Sequence, residues 1–212
     1  MKVSVVIPTI GSRDLKKTLN SISSSSLKVN EIIISLPQDS NFDKKNYSGY
    51  KNLKFHISEF KGQVVQRIEG FKIAKNDLVV QLDDDIVLEK TCLELMFDFM
   101  INNNNSCIAA HFFNIENNTS IYANLNQVKH KVFNLIKNGK NISPYGQITD
   151  SGFESYPIIT SLANPFETEW IPGGCVMHHR KNIVLKNYFP FQGKAYSEDL
   201  FHSIELKNQN IK

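Results

Sequence analysis

The chain has 212 residues, long enough to bury a good core in one compact domain. It is 41% apolar and 21% charged, as soluble globular proteins are, and its formal net charge of +3 comes without a long basic run. That balance gives no sign of a nucleic-acid surface and permits only weak attraction to phosphates or an anionic membrane. No apolar stretch approaches the roughly 18 residues of a membrane span. Met1 to Pro8 is too short an apolar run for a secretory leader. Cys92, Cys107 and Cys175 lie far apart with no CxxC pairing, and read as reduced core thiols of a cytoplasmic protein.

Lys2 to Ile7 alternates and then runs continuously apolar to Pro8, which predicts a buried first strand. Ser12 is placed to cap a helix starting near Arg13, with Leu15, Leu19 and Ile22 at helical spacing, ended by the Ser21 to Ser26 region. Glu31 to Leu36 predicts a second buried strand stopped by Pro37, and polar residues 37–52 a loop. Lys54 to Ser58 is a short third strand, and Gly62 to Ala74 a helix carrying Val64, Ile68 and Phe71. Lys75-Asn76-Asp77 turns into the buried strand Leu78 to Leu82. Then come a helix over Thr91 to Ile101 and a strand over Cys107 to Phe113. From 114 to 168 the pattern weakens to loop or lid, with a helix around Gln127 to Lys137. It sharpens again at Trp170 to Arg180 and at Ser197 to Lys207, a final helix. Alternating elements with continuous apolar strands indicate an α/β fold, a mostly parallel, Rossmann-like sheet covered by helices.

Three constellations carry chemistry. The first is Leu82-Asp83-Asp84-Asp85, where a buried strand runs into three carboxylates whose mutual repulsion needs a compensating cation. On an extended backbone Asp83 and Asp85 share a side and offer oxygens to a divalent metal at the strand's C-terminal end. A solvated acidic turn is the alternative reading. The second is Trp170 to Met177, where Gly173 and Gly174 allow a close backbone approach to a ligand, or simply a tight turn into a strand. The third is Ser197-Glu198-Asp199, either a helix cap with acids complementing the dipole or a general base at the mouth of a site.

In this order the motifs resemble those of the family 2 glycosyltransferases, which have the GT-A fold. Val5 to Thr9 with Arg13 is similar to that family's opening strand and loop, and Glu31 to Ile34 to its second strand. Gly62 to Gly70 with Arg67 is similar to the helix before the metal strand, and Asp83-Asp84-Asp85 to the DxD motif. Pro172-Gly173-Gly174 through Arg180 resembles the acceptor-side segment, and Glu198-Asp199 the ED motif.

The resemblance implies a single GT-A domain over 1–212, with a nucleotide-sugar half at 1–113 and an acceptor and catalytic-base half at 114–212. Asp85, helped by Asp83, would hold Mn²⁺ or Mg²⁺. Pro8, Thr9, Arg13, Asp39, Arg67, Asp83 and Asp84 would line the donor pocket. Trp170, Gly173, Gly174, His179 and Arg180 would stand on the acceptor and diphosphate side. Asp199 would be the base, with Glu198 the second choice. The implied reaction moves a sugar, with inversion, from a nucleotide-diphosphate donor to a hydroxyl of a glycan or lipid-linked acceptor. Its implied setting is bacterial surface polysaccharide synthesis, in the cytoplasm or at the inner face of the membrane by peripheral contact.

The chain departs from the family pattern at Ile68, where an Asn is usual, at His178-His179 before Arg180, where paired arginines are usual, and at Ser35 to Ser40 after the second strand. It also stops soon after the ED helix, which fits either a truncated chain or a minimal catalytic domain. Two rivals remain. A nucleotidyltransferase would carry a glycine-rich basic loop after the first strand, but Pro8 to Arg13 has one glycine and one arginine. A catalytically inactive binding or scaffolding homologue is the other.

Overall fold

The computed structural model describes residues 1–122, 135, 146–149, 152–155, 164–191 and 195–212. Most of the helix expected at Gln127 to Lys137 lies outside the described residues. The chain divides into two units, Met1–Ala110 with Pro172–Lys212, and His111–Ile171. The division differs from the expected halves at 113/114, because residues 172–212 return to the first unit and complete its sheet.

The described residues form one six-stranded sheet: β1 (Val3–Pro8), β2 (Glu31–Pro37), β3 (Leu53–Ser58), β4 (Leu78–Leu82), β5 (Cys107–Ala109) and β6 (Cys175–His179), in the order β3-β2-β1-β4-β6-β5. β1 pairs in parallel with β2 and β4, and β2 with β3, while β6 runs antiparallel between β4 and β5. β1, β2 and β4 are buried along their whole length, as continuous apolar runs demand when both sheet faces are covered. β3, at the edge, is only partly buried.

The helices are α1 (Lys16–Ser23), α2 (Gln63–Ile73), α3 (Cys92–Asn102) and α4 (Glu198–Asn208). Each buries the stripe its sequence spacing marks: Leu19 and Ile22 on α1, Leu93, Met96 and Met100 on α3. Val6, Ile33, Phe71, Ala74, Val79 and Ile183 form one core cluster on the α2 side. The close seating of α2 depends on Gly70, where a Cβ would collide with Val6 Cγ1. Among the described residues, no helix is long and apolar enough to cross a membrane.

Local corrections have local causes. α1 starts at Lys16 rather than near Arg13, and Ser12 does not cap it. Thr9 and Arg13 are held instead by the acids after β4, and Asp14 Oδ1 accepts from the Lys16 amide at 3.1 Å. Residues 37–52 contain a 3₁₀ turn, Lys44–Tyr47, in which the Lys45 amide donates to Asp43 Oδ1 at 3.0 Å. The strand expected through Phe113 stops at Ala109. Phe113 instead bridges Ser120 within the second unit. Ser197 makes no cap hydrogen bond and enters α4 in the left-handed region, at φ 57°. The three cysteines are free thiols; Cys175 is buried and Cys92 and Cys107 are partly so.

Gly70→Ala is expected to lower stability by about 1–3 kcal/mol, because added volume between α2 and β1 has nowhere to go; urea denaturation measures it.

Candidate active site

The acids lie where β1 and β4 end side by side, at the point where the strand order reverses, the place open α/β sheets keep for ligands. They sit in a turn rather than on extended strand, with the Ile86 amide reaching Asp83 O. The alternation argument for Asp83 and Asp85 therefore does not apply. Each acid has its own partners. Thr9 Oγ1 donates to Asp84 Oδ2 at 2.6 Å, and Thr18 Oγ1 to the Asp84 carbonyl at 3.1 Å. Arg13 Nη1 spans Asp84 Oδ1 at 2.8 Å and Asp85 Oδ2 at 2.6 Å. Asp83 Oδ1 accepts from Gln63 Nε2 at 3.2 Å and from Arg67 Nη2 at 3.4 Å.

Behind Asp83 lies a buried polar layer. Arg67 has no exposed surface. Its Nη1 donates to Glu198 Oε1 at 2.7 Å and to Tyr188 Oη at 3.0 Å. Burial opposes its charge, but Tyr188, Glu198 and Asp83 outweigh burial and hold it protonated. Tyr188 stacks on His202, and the His202 ring meets the His178 ring edge-on. Burial pushes His178 down to about 3, with the Arg67 charge adding to it, so this histidine is neutral.

β6 runs back along β4 so that Leu82 faces Cys175, and the Asp83 amide donates to Gly174 O at 2.8 Å. Gln81 Nε2 donates to Gly173 O. These bonds set Gly173 against the first turn of α4. A Cβ there would collide with Asp199 Oδ1 and come within 3.0 Å of Glu198 Oε1 and Gln81 Nε2. The close approach that the double glycine permits is thus to the two acids of α4. The Asp199 carboxyl is pushed up to about 7, chiefly by burial and then by the neighbouring Glu198 charge, against the opposing pull of the Gly173 backbone and Arg67.

The sequence matches the model of Glycosyl transferase family 2 over residues 4–161, well over half of the chain. The chain belongs to that family. No curated protein matches it. Among solved structures it is similar to a crystal structure of S. aureus TarS 1-349, at 18% identity and a TM-score of 0.57, covering 97% of this chain and 55% of that one. TarS 1-349 in complex with UDP-GlcNAc aligns at 21% identity and a TM-score of 0.43, over 55% of this chain and 36% of that one. The chain thus spans 55% of the length of the first of these structures. The likeness to the first is one of fold, and the sheet with its flanking helices is the GT-A arrangement.

On this family 2 fold the structure brings together Pro8, Thr9, Arg13, Asp83, Asp84 and Asp85 at the ends of β1 and β4, and Gly173, Gly174, Glu198 and Asp199 beside them. Arg67 is a buried bridge rather than a wall of the donor pocket, because its guanidinium is spent inside the protein. Asp39, exposed in the turn after β2, pairs with Lys61 at 3.0 Å. His179 and Arg180 are not brought to the acids. Antiparallel pairing sets His179 opposite Leu78, at the other end of β4, where its ring meets Met100 O at 2.9 Å. Trp170 belongs to the second unit, where its indole N–H donates to Ser155 O at 2.8 Å.

Sequence reasoning missed Gln66, whose Nε2 donates to Thr9 O and Ser35 O at 2.8 Å each and ties the ends of β1 and β2 to α2. It also missed Tyr188, which has no motif around it. Gln81 carried a signal, a lone amide in a buried apolar strand.

Among the described residues, no group of three or more His, Cys, Asp or Glu forms a metal cluster. A divalent cation that binds substrate phosphates needs only one or two protein carboxylates. Asp83 and Asp85 each use one oxygen in the contacts above, leaving Asp83 Oδ2 and Asp85 Oδ1 without a protein donor. Burial pushes the Asp83 carboxyl up against the pull of Arg67, with Glu198 and Asp85 adding to the rise. A cation at this point would relieve that repulsion, so the donor set fits one.

Arg67→Met leaves Glu198 buried without its cation and is expected to cost about 3–5 kcal/mol in urea denaturation. Asp199 gives a test with a definite sign. Its folded value near 7 exceeds the ordinary 3.8, so its contribution to folding is fully present below about 4 and lost as pH rises through 7. Asp199→Asn should therefore melt higher than the wild type, by a margin that grows from pH 4 to 7 and then levels off; thermal melts across that range measure it.

Proposed function

We propose that this protein is a metal-dependent, inverting glycosyltransferase that moves a sugar from a nucleoside-diphosphate donor to a hydroxyl of a glycan or lipid-linked acceptor. Membership of Glycosyl transferase family 2 supports the reaction class. The observation that carries the reading is one buried arginine, Arg67, that bridges Asp83 after β4 to Glu198, whose neighbour Asp199 lies against Gly173.

Asp83 and Asp85 would hold Mg²⁺ or Mn²⁺, which supplies positive charge against the leaving diphosphate. Thr9 and Arg13 fix the turn that presents these carboxylates. Asp199 accepts the acceptor hydroxyl proton as that oxygen attacks the anomeric carbon opposite the diphosphate. With a value near 7 it is substantially ionised at neutral pH, yet basic enough to take the proton. Glu198 is unsuited to that task, since its Oε1 is committed to Arg67 at 2.7 Å. A uridine or guanosine diphosphate donor and a role in surface polysaccharide assembly at the inner face of a membrane belong to this reading by analogy with the family.

The test is a thermal-shift panel of nucleoside diphosphates with and without Mn²⁺, followed by transfer assays with the donor that shifts. One nucleotide should raise the melting temperature only with metal, and Asp85→Ala should abolish that shift. Asp199→Asn should keep donor binding and lose turnover by about 10²-fold or more, and wild-type kcat should rise with pH through about 7. No shift with any nucleotide from folded protein, or full turnover in Asp199→Asn, would overturn the reading.

A further inference from the structure

One nitrogen of the buried arginine serves two partners. Arg67 Nη1 donates to Glu198 Oε1 at 2.7 Å and to Tyr188 Oη at 3.0 Å. Glu198 opens α4 and Tyr188 precedes it in the chain, so the segment between them is tied at both ends to the same atom. Tyr188 lies outside every helix and strand, yet it is only 6% exposed. Its ring is also held directly by α4, stacked on His202 at 5.0 Å between centroids and 22° between planes. His202 stands one turn after Glu198 on the same buried face of that helix. Tyr188 therefore engages α4 twice, through Arg67 at Glu198 and by stacking at His202.

A phenol in this place has one more bond to give. Its oxygen accepts from Arg67, and burial pushes the hydroxyl up against the pull of Arg67, so it keeps its proton. The acceptor within its reach is Glu198. Arg67, Tyr188 and Glu198 thus close a triangle in which Arg67 donates to both oxygens and Tyr188 donates to Glu198. The other titratable groups around it are Asp83 on the far side of Arg67, His178 from β6, edge-on to His202 at 5.3 Å, and Asp199 beside Glu198 against Gly173. A neutral donor partners a buried carboxylate without the desolvation that a second cation would bring.

We propose that Tyr188 is a positioning residue for the base: bonded to the Arg67 nitrogen that grips Glu198, and stacked on His202, it fixes Glu198 beside Asp199. The inference deepens the reaction proposed above and rests on it for the role of Asp199. Its first test is read without turnover, so the two fail separately.

Tyr188→Phe keeps the stacked ring and removes one oxygen. Glu198 then loses a donor, less of its negative charge is offset, and Asp199 holds its proton to higher pH. The first measurement is the melting margin of Asp199→Asn over its parent from pH 4 to 9, in the wild type and in Tyr188→Phe. In Tyr188→Phe the margin should go on growing past 7 and level off about half a pH unit or more higher. The second is kcat, which should fall by about twofold or more at neutral pH and recover by pH 9, with the donor KM unchanged. Ile183→Val trims the core cluster that holds Phe71, whose ring meets His178, and should lower the melt without moving either pH dependence. A margin that levels off at the same or a lower pH in Tyr188→Phe, or that Ile183→Val moves as far, would make Tyr188 a packing residue and overturn the proposal. A wild type that folds without turnover would overturn the reaction instead, and the margin would still decide Tyr188.

Discussion

A fully buried guanidinium is the constraint on which the site depends. Arg67 comes from the middle of α2, Asp83 from the end of β4, Tyr188 from the stretch after β6, and Glu198 from the first turn of α4. Taking a charge this far from water costs several kcal/mol unless partners surround it, and three elements supply those partners here. The geometry is therefore mutual. α4 is seated where Glu198 can reach Arg67, which sets the neighbouring Asp199 beside Gly173. Packing of apolar faces alone would tolerate small shifts of α4 over the sheet; a buried ion pair at 2.7 Å does not.

A second cation, Arg13, manages the surface side of the same problem. Three consecutive carboxylates in one turn repel one another, and Arg13 lies across Asp84 and Asp85 while Thr9 and Gln63 take further oxygens. Arg67 and Arg13 thus divide the acids between an inner and an outer partner. Arg67 is locked, whereas Arg13 is 56% exposed and free to exchange its carboxylates for other anions. An arginine in that state can turn toward another anion through its planar donor fork.

The fold was legible in the sequence wherever burial decides the pattern. β1, β2 and β4 are buried on both faces, so their apolar runs mark them to within a residue or two. The acids, the double glycine and the Glu-Asp pair were legible as motifs for the same reason, since each breaks an apolar or helical pattern abruptly. The direction of β6 was not legible, because a short apolar strand reads alike in both directions. That one bit of topology removes His179 and Arg180 from the acids while carrying Gly173 and Gly174 to them. The role of Arg67 was hidden as well, since a lone arginine on a helix gives no sign of facing inward. Ser12 and Ser197 fail as caps for a shared reason. Both precede helices whose entry is set by the site, one by Arg13 on the acids and the other by Glu198 on Arg67.

The surroundings of Asp199 join chemistry to stability. Left-handed backbone at Ser197 costs of order 1 kcal/mol for a residue with a side chain. Burial and the charge of Glu198 oppose ionisation of the carboxyl next along the chain. Neither feature helps the fold, and both act within three residues at the head of one helix. The Gly173 amide and Arg67 pull the other way, far enough to leave the carboxyl near 7 rather than neutral throughout the physiological range. A carboxylate left in ordinary solvation would be fully ionised but too weak a base to take a hydroxyl proton, and one buried without these donors would stay protonated. The tension at the head of α4 is what a base working near neutral pH would require, and Arg67, by fixing Glu198 beside Asp199 through a 2.7 Å ion pair, is the residue that maintains it.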